Sequence, residues 1–137
     1  MEMADVVLLE ADGAKRLPCK VPSSREPVIL PQSDLVIGVM GLSALGKTLE
    51  ETCFRLEETM AFLGKEKDQR LTEEDAARIL SSEKGTRKSV GNRAYYVVLN
   101  QCDDPERFRM GMGILRRLEG RGIAGGVMTC LKDEAEW

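Results

Sequence analysis

The chain has 137 residues, with 20 Lys and Arg against 23 Asp and Glu, a net charge of −3 and no histidine. That length suits a single domain that buries roughly two thirds of its extended surface unaided. The charge provides no general field for nucleic acid or an anionic membrane, so neither is an expected partner. Four widely spaced cysteines, Cys19, Cys53, Cys102 and Cys130, form no Cys-x-x-Cys pair and argue against a structural zinc site. The acidic residues at 1–5 lead into an apolar stretch too short for a signal peptide or a membrane span, which makes the cytoplasm the expected location.

The first predicted strand covers 5–10, where Val6, Val7, Leu8 and Leu9 run into Glu10 and Asp12 ahead of the turn residue Gly13. Short apolar runs bounded by turn residues read as strands buried on both faces of a parallel sheet, whose ligands gather beyond the strands' carboxyl ends. In an extended chain Glu10 and Asp12, at i and i+2, leave the same face and can address one cation or one water. The competing reading pairs them with Lys15, Arg16 or solvent at an ordinary polar strand end. The segment 13–33 follows, with Pro18, Pro22, Pro27 and Pro31. It reads as a long irregular connection of the kind that is usually functional. Cys19 lies in it beside Lys20, a neighbour that can lower a thiol pKa, although no general base is evident and the inert reading is preferred. The other three cysteines read as small apolar residues.

A second strand is predicted at 34–40. Gly41 to Thr48 then fits G-x-x-x-x-G-K-T between a strand and a helix, making Gly41, Gly46, Lys47 and Thr48 a candidate phosphate loop. Against it, Thr48 with Glu51 is also a capping box, and residues 42–45 contain no glycine. Leu49, Cys53, Leu56, Met60 and Leu63 share one face of a predicted helix over 49–63. Thr72 caps another over 72–81. Residues 82–93 read as a basic, solvated loop, with a phosphate contact from Lys84, Arg87 or Lys88 as the alternative. A strand at 94–100 ends in Asn100 and Asp103, which can read guanine through its acceptors and N–H donors or simply form an Asx turn. Asp104 and Pro105 open a helix that places Phe108, Met112, Leu115 and Leu118 on one side and stops at Gly120 or Gly122. A last strand falls at 123–131. Strands alternating with helices imply one α/β domain over 1–137, a mostly parallel sheet flanked by helices.

The segments 10–18 (EADGAKRLP), 26–31 (EPVILP), 34–47 (DLVIGVMGLSALGK), 71–80 (LTEEDAARIL) and 100–105 (NQCDDP) together resemble the YqeC family, accessory proteins of selenium-dependent molybdenum hydroxylases. The resemblance runs along essentially the whole chain. It implies a P-loop NTPase-like fold, GTP or ATP with Mg2+, and a role in selenium-cofactor or hydroxylase maturation, with the hydroxylase or its cofactor-maturation proteins as partners. Family members carry a G-G-K-T-type loop ahead of the segment matching Glu10, so this chain resembles their C-terminal part. Glu10 and Asp12 match the family's acidic strand end, as catalytic carboxylates or magnesium ligands. Asn100 and Asp103 match its N-K-x-D-like element and, with Lys15 and Arg16, are the expected nucleotide contacts. Gln101 stands where lysine is usual, which removes a cationic stem from over the nucleotide. Proline commonly follows the residue matching Lys47, so Thr48 completes the phosphate-loop pattern by accident.

The leading expectation is therefore the nucleotide-binding part of an accessory factor that does not hydrolyse nucleotide as this chain alone and binds it weakly or not at all. One rival is a non-catalytic interaction module docking a client enzyme through 13–33. Another is a small-molecule phosphotransferase built on Gly41 to Thr48, for which no acceptor site is apparent. A sheet edge left bare by an absent strand leads to the expectation of a homodimer.

Overall fold

A computed structural model describes residues 5–131. Its centre is a three-stranded parallel sheet in the order β2-β4-β5, formed by β2 (Leu35–Gly41), β4 (Ala94–Asn100) and β5 (Gly125–Met128). A second, minimal sheet pairs β1 (Cys19–Lys20) with β3 (Cys53–Phe54), also in parallel. Helices α1 (Leu49–Thr52), α2 (Leu56–Leu63), α3 (Glu73–Ser81) and α4 (Pro105–Leu118) fill the connections. This is an α/β fold with parallel strands and flanking helices, as the alternating pattern predicts.

Period-2 alternation in β4 sends Tyr95, Val97 and Leu99 into the core, where they meet Ile79 and Leu80 of α3 and Ile114 and Leu118 of α4. The Tyr95 hydroxyl donates to the carbonyl of Leu80 at 2.7 Å, satisfying the one polar atom this ring buries. Gly38 stands beneath that ring, and a Cβ there would lie 2.2 Å from the Tyr95 oxygen. No described residue covers the opposite face of the sheet. Leu35, Ile37, Val39, Tyr96 and Val127 are all exposed, Val39 to 60%. Parallel strands are normally buried on both sides. Here, among the described residues, only one side is.

The capping signals locate the helices well. Thr72 and Asp75 form a reciprocal capping box at α3, and the Asp104 side chain accepts from Arg107 N at 2.8 Å at the start of α4. The predicted strand at 5–10 does not form. Residues 5–10 have no regular structure, and Val6 and Leu8 are 76% and 85% exposed. A strand needs a partner for its backbone groups, and among the described residues none pairs with this run. The single helix predicted over 49–63 is broken by β3 and by Arg55 in the left-handed region (φ 61°), which splits it into α1 and α2. Leu49, Cys53 and Leu63 are buried as expected, whereas Leu56 and Met60 are only partly so. On α4 the buried stripe is Gly111, Ile114 and Leu118, and the predicted core residue Phe108 faces solvent. The segment 13–33, expected to be irregular, contains β1. The last strand is shorter than 123–131.

The basic loop at 82–93 is structural. Arg87 donates to the carbonyls of Arg121 (2.7 Å) and Gly122 (3.0 Å), Lys88 to that of Ser23 (2.7 Å), and Arg93 to that of Ser33 (2.9 Å). Lys88 and Arg93 thereby fix 13–33 against the rest of the fold, and Arg87 holds the turn after α4.

Candidate functional site

Parallel pairing brings the carboxyl ends of β2, β4 and β5 to one rim, with Gly41 directly opposite Asn100 in register. Beyond β5, Thr129 donates its hydroxyl to Asn100 Oδ1 at 2.9 Å, fixing the amide. Gln101 turns the chain in the left-handed region (φ 63°), and its Oε1 accepts from Ser43 Oγ at 2.5 Å. Asp103 Oδ2 receives Arg107 Nη1 at 3.0 Å, and its Oδ1 accepts from Cys130 Sγ at 3.2 Å. Asn100 and Asp103 thus stand on the same turn. Gly41 is needed where it is, because a Cβ would come within 2.4 Å of Gln101 Oε1 and 2.8 Å of Pro18 Cβ. Its N–H donates to the Pro18 carbonyl at 2.8 Å, which draws the 13–33 segment to the rim.

Glu10 and Asp12 belong to that segment's approach and are exposed. Without a strand at 5–10, the same-face argument for the pair no longer applies. Lys20, whose side chain is buried, ion-pairs with Asp12 Oδ2 at 3.3 Å, donates to the Gly13 carbonyl at 2.7 Å and binds Glu26. Burial works to raise the Glu26 pKa, yet hydrogen bonds from Lys20 and Ser23 outweigh it and hold the carboxyl at about 2. Lys15 and Arg16 both adopt left-handed backbone, and Lys15 Nζ lies 5.5 Å from the Phe54 ring centre, beside Lys20 (5.3 Å) and Arg55 (4.7 Å). Among the described residues no hydrogen bond or ion pair joins Glu10 or Asp12 to Asn100 or Asp103. The link runs through Lys20, Pro18 and Gly41. Nor, among the described residues, do three His, Cys, Asp or Glu side chains converge there. A magnesium ion at Asp12 would have to displace Lys20, so this arrangement does not fit it.

The G-x-x-x-x-G-K-T segment has another occupation. Leu42, Ala44 and Leu45 are buried in the core, and the loop N–H groups of Ser43, Leu45, Gly46, Lys47 and Thr48 already have protein acceptors. Ser43 N meets Gln101 Oε1, Leu45 N the carbonyl of Leu42, Gly46 N that of Leu71, and Lys47 N that of Ala44. Thr48 N and Oγ1 both donate to Glu51 Oε2, at 3.0 and 2.8 Å. A phosphate cradle needs these donors free. The geometry favours the capping box.

Sequence reasoning missed Lys20, Glu26, Ser43 and Thr129, which position the rim and its approach. The capping-type offset from Ser23 to Glu26 was available as a signal, but pairings such as Ser43 with Gln101 span 58 positions and leave no local trace.

Residues 1–57 match the family described as "YqeC protein". The uncharacterized protein YqeC of Escherichia coli (strain K12) is 33% identical over 105 residues, covering 73% of this chain. This chain belongs to the YqeC family. The matched region spans 41% of the length of that relative. No solved structure matches the chain. No helix among the described residues is long and apolar enough to cross a membrane.

Proposed function

We propose that this YqeC-family chain is an accessory factor in the maturation of selenium-dependent molybdenum hydroxylases, acting by binding a nucleotide rather than by hydrolysing it. The supporting observation is the amide and carboxylate of Asn100 and Asp103 on one turn at the carboxyl end of the central parallel strand, where ligands of such sheets gather. Asn100 would meet base acceptors and Asp103 base donors. With the N–H groups of Ser43, Leu45, Gly46, Lys47 and Thr48 already bonded within the protein, the segment offers a poor phosphate cradle, so affinity rests on the base end and is weak. Catalysis of phosphoryl transfer depends on positioned cations and donors around the phosphates, which this arrangement lacks. The test is hydroxylase activity in cells without this protein. Activity falls and is restored by the wild-type chain but not by Asn100→Ala with Asp103→Ala; activity that never depends on the protein would exclude the role.

A second reading, an interaction module for a client enzyme, is favoured by the bare sheet face, where Leu35, Ile37, Tyr96, Val98 and Val127 line a shallow apolar depression of about 280 Å³. In this reading the client docks on the sheet face, where the alternative has it dock through 13–33. The occupant would be a client helix with an apolar stripe, because helices close the faces of parallel sheets. Ile37→Lys would then abolish activation of the hydroxylase while sparing nucleotide contacts.

A further inference from the structure

Cys19 and Cys53 are direct register partners in the β1–β3 pair. Neighbouring strands run about 4.8 Å apart, inside the Cα separation of roughly 4.4–6.8 Å that a disulfide spans without backbone movement. Residues opposite each other in register send their side chains to the same face, and both thiols are buried, Cys19 to 2% and Cys53 to 4% exposure. Neither is in a disulfide here. Thr52 Oγ1 lies 3.7 Å from Cys53 Sγ, and either atom can donate to the other. The interaction of the two thiols draws the Cys53 pKa down against its burial, while the same interaction and burial raise that of Cys19.

We infer that Cys19 and Cys53 form a reversible redox pair that closes to a disulfide when the protein meets a peroxide. The Cys53 thiolate attacks one peroxide oxygen; an S–O bond forms, the O–O bond breaks, and hydroxide leaves and is protonated to water. Cys19 sulfur then attacks the sulfenic sulfur; the S–S bond forms, the S–O bond breaks, and the Cys19 proton leaves with the second water. Two thiols lose two electrons and the peroxide gains them. Access requires opening of a sheet only two residues long on each side, among the least cooperative pairings in the fold. Closure would bind the 13–33 segment, with Lys20 and its partners Asp12 and Glu26, covalently to the Phe54–Arg55 turn.

The test treats the full chain with hydrogen peroxide, blocks residual thiols by alkylation, and maps linked peptides by mass spectrometry without reduction. The expected product is monomeric, lacks two hydrogens, joins Cys19 to Cys53, melts at a higher temperature, and reverts with dithiothreitol. The Cys102→Ser/Cys130→Ser double variant keeps the bond, and Cys19→Ala and Cys53→Ala each lose it, with circular dichroism confirming that the variants fold. A link confined to Cys102 and Cys130, links between copies only, or oxidation to sulfinic acid without an S–S bond would each overturn the inference.

Discussion

Ser43 donates its hydroxyl to the side-chain carbonyl of Gln101 at 2.5 Å, tying the loop after β2 to the left-handed turn after β4. Gln101 serves as a clasp between two strand ends. Ser43→Ala and Gln101→Ala should each cost about 1 kcal/mol, with a coupling energy of about 1 kcal/mol in a double-mutant cycle. Urea unfolding of the four proteins measures it; additive losses would show that the contact contributes nothing.

Glu26 sets an acid limit on stability. Its folded pKa of about 2 lies below the ordinary value of 4.5, so its contribution is present in full above pH 4.5 and is lost as pH falls towards 2. Asp75 acts in the same direction: burial opposes ionisation, but Lys65 and the Thr72 backbone N–H hold its pKa down. Melting temperatures should therefore drop steeply across that window. Glu26→Gln should flatten the drop and lower stability at neutral pH by about 1–3 kcal/mol, since Lys20 loses a buried partner. An unchanged acid profile in this variant would remove Glu26 from the account.

Packing predicts a gradient along α4. Ile114 is fully buried, so Ile114→Ala should cost about 2–5 kcal/mol, whereas Leu115→Ala, half-buried, should cost less. Gly38→Ala should also destabilise, because its methyl would collide with the Tyr95 hydroxyl that holds Leu80. Thermal unfolding ranks all three, and equal losses at Ile114 and Leu115 would contradict the placement.

These contrasts show where the sequence was legible. Caps at Thr72 and Asp104 and the strand at 94–100 rest on local chemistry, and they stand within a residue or so of expectation. The run at Val6 to Leu9 has strand chemistry but no partner among the described residues, and pairing is a property of two segments. The periodicity of 49–63 could not reveal that Arg55 would turn left-handed. For the rim, Asn100 and Asp103 were visible as residue types. Lys20 holding Asp12 was not, because nothing local separates that pair from a solvated one. The phosphate-loop pattern shows the reverse difficulty: a complete motif whose N–H groups the fold uses internally.

The uncovered sheet face gives a surface prediction. Ile37→Thr and Val127→Thr should leave stability within about 0.5 kcal/mol, as at other exposed sites. Both should reduce the binding of a hydrophobic dye such as ANS to the folded protein. Losses of core size would mean that the face is already filled.

The most direct measurement of the central claim is an amide NMR titration of the folded chain with GTP or ATP in the presence of magnesium. Weak, saturable shifts confined to residues 100–103 and Thr129, and absent in Asn100→Ala with Asp103→Ala, are the predicted result. Shifts centred on Gly46 to Glu50, or none at millimolar nucleotide, would contradict it.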